Sequence, residues 1–161
     1  MRFGQWCIVI CVTIANSACN GMLRTDVGIE VSMFNNESIR ALRFLEGRWS
    51  GQAPDGSAFF EEHDFPDVST MRSRRYRDAS FSEASDGSTV ALRDGEVIST
   101  WGEFTWVAVD IRSGAARFRP INAPSSFSWN QVDEDTVEVN QTWNDENGVE
   151  QHYSLILNRV R

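Results

Sequence analysis

Leu45-Glu46-Gly47-Arg48-Trp49-Ser50-Gly51-Gln52-Ala53 is where a short helical pattern gives way to β-sequence that runs to Arg161. Gly47 stops the helix, because only glycine takes a left-handed backbone at little cost. Trp49 offers a large rigid surface to plug one end of a closing sheet. Gly51 lets another backbone or side chain approach closely. Small ligand-binding β-barrels often begin this way. The sequence therefore points to a binding cavity ahead of a catalytic triad.

Upstream, residues 1–21 read as an export signal. Arg2 supplies one positive charge, Trp6 to Ala15 form a ten-residue apolar stretch, and Asn16-Ser17-Ala18-Cys19 follow. Such a stretch is too short to span a bilayer and suits a signal core. Ala18-Cys19 resembles the end of a bacterial lipobox, in which Cys19 becomes the lipidated first residue; Asn16 stands where that motif prefers an aliphatic side chain. Cleavage near Ala18 to give a soluble secreted protein is the alternative. The expected location is exported: periplasmic, anchored to the outer membrane, or secreted. All three cysteines (Cys7, Cys11, Cys19) lie in or beside this segment, so the remainder has no disulfide, cysteine metal site or cysteine nucleophile.

The formal charge is −8. That disfavours nucleic acid as a partner. It also opposes adhesion to an anionic membrane, except through a lipid at the N-terminus. No later run of apolar residues is long enough to span a bilayer.

Residues 22–35 form a polar linker, and residues 36–161 form the folded domain. Asn36 is positioned to cap a helix over 37–46, with Ile39, Leu42 and Leu45 on its apolar side. So short a helix must pack on the rest to be stable. Strands are expected near 48–53, 57–65, 69–78, 80–84, 87–93, 96–102, 104–111, 115–121, 126–132, 135–143 and 149–160. The two near 80–93 can merge into one bent strand, leaving ten. The breaks carry turn chemistry, as at Pro54-Asp55-Gly56, Asp86-Gly87, Asp94-Gly95 and Ser113-Gly114. Even spacing without long helices implies antiparallel hairpins. Several strands have apolar residues on both faces. Phe59, Glu61, His63 and Phe65 share a side; Gln151, Tyr153, Leu155 and Leu157 oppose His152, Ser154 and Ile156. The expected fold is all-β: a roughly ten-stranded, up-and-down antiparallel barrel with a short N-terminal helix and a partly polar, partly aromatic lumen. A two-sheet sandwich is the alternative.

Gly47-Arg48-Trp49-Ser50-Gly51-Gln52-Ala53 resembles the G-x-W-x-G-x-G opening of nitrobindin-like proteins, relatives of the fatty-acid-binding proteins in the lipocalin-like (calycin) superfamily. Gln151-His152-Tyr153-Ser154-Leu155-Ile156-Leu157-Asn158-Arg159 resembles that family's last strand. Ala53 replaces the third glycine, and the family's glycine- and histidine-containing loop has no counterpart near Glu61-Glu62-His63-Asp64. The resemblance implies a ligand-binding barrel, with haem as the named cofactor and His152 as the residue matching its iron ligand.

Four arginines, Arg72, Arg74, Arg75 and Arg77, crowd one strand. Alternation puts Arg72 and Arg74 with Tyr76 on one face, and Arg75 and Arg77 on the other. One pair must face inward if the sheet closes. An inward arginine suits a ligand carboxylate; the competing role is pairing with Glu61 and Glu62 on a neighbouring strand. His63 is expected to be salt-bridged or to cap near a turn, since no recognised zinc spacing surrounds it. Trp101, Phe104, Trp106, Phe118, Phe127, Trp129 and Trp143 can line a cavity or fill a core.

The functional expectation is an exported barrel that binds a small hydrophobic ligand, haem being the candidate that the family resemblance implies. His152, Arg72, Arg74 and Tyr76 are the expected ligand-binding residues, with Trp49 closing the base and no catalytic residue assigned. Two other readings stand beside it: a cell-envelope interaction module with a filled lumen, and a haem-dependent isomerase acting on a nitrogen-oxide species.

Overall fold

The computed structural model describes residues 33–53 and 55–161. The export segment, Cys19 and the linker up to residue 32 lie outside the described residues. Asn35, rather than Asn36, caps the helix: its side chain accepts from the Glu37 N–H at 2.9 Å. Helix α1 is a short α-helix, Asn36–Ala41, which tightens into a 3-10 turn over Leu42–Leu45. That tightening suits the three-residue spacing of Ile39, Leu42 and Leu45, all of them buried.

Ten strands follow: β1 Gly47–Gln52, β2 Ala58–Asp67, β3 Thr70–Tyr76, β4 Ala84–Arg93, β5 Glu96–Trp101, β6 Phe104–Arg112, β7 Ala115–Pro120, β8 Ser126–Asp133, β9 Thr136–Asn144 and β10 Glu150–Val160. Each pairs antiparallel with its sequence neighbour, and β1 also pairs with β10, which closes the barrel. A closed ten-stranded antiparallel barrel is consistent with a calycin, or lipocalin-like, fold; it is not the two-sheet alternative. The single strand β4 replaces the two short strands near 80–93. Asp86-Gly87 lies within it and is not a turn.

Closure depends on the opening motif. Gly47 has φ +114°, which turns the chain from the helix into β1. Gly51 sits in the β1–β10 seam opposite Leu157. A Cβ there would lie 2.5 Å from the Ile156 carbonyl oxygen. The close approach expected of Gly51 is therefore made by the backbone of the last strand.

The helix seals one end of the barrel. Ile39, Leu42, Leu45, Trp49, Met71, Val97, Phe118 and Leu157 belong to one buried cluster. Trp49 is 0% exposed, and its indole N–H donates to the Leu45 carbonyl at 2.6 Å. The base is thus plugged as the motif predicts. A bulge at Val109 shifts the register of β6 against β7 and brings Ile111 to pack on the core. Strict alternation would have set Ile111 on the face opposite Ala108.

Candidate functional site

The lumen is filled at the helix end and hollow at the other. Phe118 and Phe127 stack at 4.7 Å, and Trp129 packs edge-on against both at 5.5 and 5.0 Å. Above this layer lies a cavity of about 240 Å³. Its apolar wall contains seven aromatic residues: Phe59, Trp101, Phe104, Trp106, Phe127, Trp129 and Tyr153. The Trp106 indole N–H is already satisfied by the Ser125 carbonyl at 2.6 Å, so this ring is fixed in place.

The polar wall is built mainly on β2 and β3. Glu61, on β2, and Ser73 and Arg75, on β3, all line the cavity, joined across it by Ser99 and Gln141. The Ser73 hydroxyl donates to Glu61 Oε1. The Arg75 guanidinium lies 4.5 Å from the Phe59 ring centre and 5.4 Å from that of Trp101. Its Nε is buried without a hydrogen-bond partner and stands 4.0 Å from Asp86 Oδ1.

His63 lies deeper in the lumen. It is fully buried, edge-on to Trp129 at 6.2 Å, and is not among the cavity-lining residues. Both ring nitrogens lack hydrogen-bond partners, and Nε2 is 3.7 Å from Glu61 Oε2. Burial holds its pKa below the ordinary value, against the opposing pull of Glu61, Asp64 and Glu62. His63 thus stands within β2 beside Glu61, and does not cap a turn.

The residues expected to orient a ligand lie elsewhere. Tyr153, Leu155 and Leu157 take the inner face of β10, so His152 projects outward and is exposed. The expectation that His152 points into the lumen is corrected by this alternation. The same holds for β3. Met71 and Ser73 are buried on its inner face, which turns Arg72, Arg74 and Tyr76 outward. There they join a ladder across β1, β2 and β3. Arg72 holds Asp64 through two hydrogen bonds at 3.0 and 2.6 Å. Arg74 bridges Glu62 and Asp64, each at 2.9 Å, and the Tyr76 hydroxyl donates to Glu62 at 2.8 Å. Burial raises the Glu62 pKa, but the Tyr76 hydroxyl, Arg48 and Arg74 outweigh it and leave the carboxyl below its ordinary value. The hydrogen bond from Arg72 does the same for Asp64. The inward arginine is Arg75. Trp49 closes the base and does not line the cavity.

Haem does not fit this cavity. No His, Cys or Met lines it. Tyr153 is the one lining residue of a haem-ligating type, and its ring packs edge-on against Trp143 at 6.0 Å. The volume falls below the roughly 300–1,000 Å³ that buries drug-sized ligands, and a porphyrin is at least that large. Among the described residues no group of three or more His, Cys, Asp or Glu could hold a metal ion.

Glu61, Ser73, Arg75, Ser99, Gln141 and Tyr153 were not among the expected site residues. Two signals point to them: Glu61 shares a face with Phe59 and Phe65, and Tyr153 shares one with two leucines. What the arrangement offers chemically is a small hollow with one aromatic and one hydrogen-bonding wall. The chain matches no family model and no curated protein.

Proposed function

We propose that this chain is a small-ligand-binding protein, with an apolar ligand body held in the hollow half of the barrel and a polar end oriented by Glu61, Arg75 and Gln141. The observation that carries this reading is the division of the lumen. One half is packed solid by Phe118 and Trp129, and the other is a cavity of about 240 Å³ with aromatic and polar walls. Apolar burial supplies affinity in such a pocket, and a few placed polar groups supply orientation. The volume suits a ligand of one or two rings rather than a long acyl chain or a porphyrin.

Export belongs to the same proposal, and the signal reading of residues 1–21 supports it. A mature N-terminus after Ala18, or a lipidated Cys19, is the expected product by mass spectrometry of the cell envelope.

The test is a panel of small aromatic and aliphatic compounds of all charges, read by tryptophan emission and by thermal shift. Ser99→Phe is the control. Ser99 is 3% exposed and lines the cavity. In a hollow lumen the new ring is accommodated and binding is lost. In a filled lumen, overpacking costs about 1–3 kcal/mol and no compound binds, which favours the interaction module.

A further inference from the structure

Resting on the small-ligand reading above and deepening it, we infer that the ligand is a cation: an amine or guanidine whose charged head is taken by Glu61 among the aromatic rings of the cavity. Three features carry this.

The first is the balance of charge inside the lumen. Glu61 and Arg75 are register partners on β2 and β3, and both face the cavity. They form no ion pair. Arg75 turns instead onto Phe59 and Trp101, with Asp86 as its nearest carboxylate at 4.0 Å. Asp86 therefore offsets Arg75. Glu61 is left with a hydroxyl donor, Ser73, and with His63, whose burial keeps it neutral at pH 7. The Glu61 side chain is only 15% exposed. A largely desolvated carboxylate without a cationic partner is costly, and an incoming ammonium relieves that cost.

The second is the wall. Cations bind over the faces of Trp, Tyr and Phe within about 6 Å of the ring centre. Arg75 already occupies two such faces, so these rings accept a positive charge in this geometry. Trp106, Phe127 and Tyr153 line the same cavity.

The third is the mouth. The loops at the open end carry Asp55, Asp78, Glu83, Glu103, Asp145 and Glu146, against Arg77 alone among the described residues. Arg77 is itself 3.9 Å from Glu83. Hydrogen bonds from the Ser57 hydroxyl, from Ser80 and from the Val149 N–H keep Asp55, Asp78 and Asp145 below the ordinary carboxylate value. These groups stay charged well into mild acid. A rim of predominantly negative charge concentrates cationic ligands and repels anions.

The test is calorimetric titration of the full chain with three probes of similar body and different charge: phenethylamine, phenethyl alcohol and hydrocinnamate. The amine is expected to bind about ten-fold more tightly than the alcohol, with hydrocinnamate weakest. Glu61→Gln is expected to bring the amine down to the affinity of the alcohol. A triple rim variant, Asp78→Asn with Glu83→Gln and Glu103→Gln, leaves the pocket walls intact and is expected to flatten the salt dependence of amine binding. It keeps the proposal testable if Glu61→Gln fails to fold. Hydrocinnamate binding as tightly as the amine overturns the proposal, as does an amine preference unchanged in both variants. Failure of all three probes while other compounds of the panel bind overturns the cation alone. Failure of the entire panel overturns the pocket reading with it.

Discussion

Arg159 lies flat on Trp49, with its Cζ 4.2 Å from the indole ring centre. The two residues come from opposite ends of the barrel sequence and are register partners across the β1–β10 seam. The same guanidinium donates to the Glu46 carbonyl at 2.6 Å and to the Phe44 carbonyl at 3.2 Å. It therefore satisfies carbonyls at the end of the helical turn that would otherwise lack partners. One side chain ties the helix, the plug and the closing seam together. Arg159→Leu is expected to lower stability by about 2–3 kcal/mol, from the lost charged hydrogen bonds and the cation–π contact. Arg159→Lys is expected to recover less than half, because an ammonium cannot reproduce the planar fork. Urea denaturation measures both. A loss below about 1 kcal/mol for the leucine variant would show that the clamp is incidental.

Gly51 tests the seam from the other side. Its added Cβ would stand 2.5 Å from the Ile156 carbonyl oxygen and 3.1 Å from a Leu157 methyl. The oxygen is backbone in a paired strand, so it cannot swing aside as a long side chain would. Gly51→Ala is expected to cost about 1–3 kcal/mol by overpacking and to speed amide exchange along β1 and β10. Unchanged stability with unchanged exchange contradicts this account of the closure.

Barrel architecture was legible because two independent signals agreed. Turn residues recur at hairpin spacing, and Gly47-Arg48-Trp49-Ser50-Gly51 marks the place where helix gives way to sheet. Two details were not legible. Asp86-Gly87 reads as a turn but stands inside β4, where a Cβ on Gly87 would collide with the Ser73 backbone. The bulge at Val109 inserts one residue, and no residue type announces it. The site was half legible. Alternation groups Arg72 with Arg74 and Tyr76, and His152 with Ser154 and Ile156, but both groups face outward, not into the lumen. The burial of Met71 and Ser73 on β3 and of Leu155 and Leu157 on β10 decides the matter. On β10 the more apolar face, Tyr153-Leu155-Leu157, is readable in the sequence and marks the inward side, whereas the family resemblance at His152 points the other way. On β3 both faces carry arginine, so residue chemistry alone could not choose.

That reversal yields a direct comparison. Arg72→Ala, Arg74→Ala and His152→Ala are expected to leave ligand binding unchanged, because all three side chains project from the outer face. Their effect on stability is expected to be small. The Arg72 and Arg74 pairs are part-exposed, and solvent screening holds such pairs to about 0–1 kcal/mol each. Arg75→Met, in contrast, is expected to change affinity several-fold, since it alters both the charge and the wall of the cavity. Titrating the four variants with whichever panel compound binds best separates the faces. Loss of binding in Arg72→Ala or His152→Ala, with Arg75→Met unaffected, would reverse this assignment of the lumen.

Acid sensitivity should begin at His63. Its ordinary value is 6.5, and burial lowers it in the folded state. Above that value both folded and unfolded chains hold the imidazole neutral, so it adds no pH dependence there. Below it the unfolded chain takes up a proton that the folded chain refuses. Stability therefore falls as pH drops from about 6.5, by at most about 1.4 kcal/mol per pH unit, until the folded state also protonates. Three nearby carboxylates soften this by favouring the charged form: Glu61, on the same face as the ring, and Asp64 and Glu62, which flank it on the outer face of β2. Glu62 and Asp64 add losses of their own at lower pH. Their folded values lie below the ordinary 4.5 and 3.8, so their stabilisation is present above those values and disappears as pH falls through the folded ones. Neither His63 nitrogen has a hydrogen-bond partner, so an apolar replacement removes no bond. His63→Leu is thus expected to match or exceed the parent near pH 8 and to flatten the decline between about pH 6.5 and 5. Thermal melts across that range distinguish the cases: an identical slope in the two proteins would place the acid-sensitive group elsewhere.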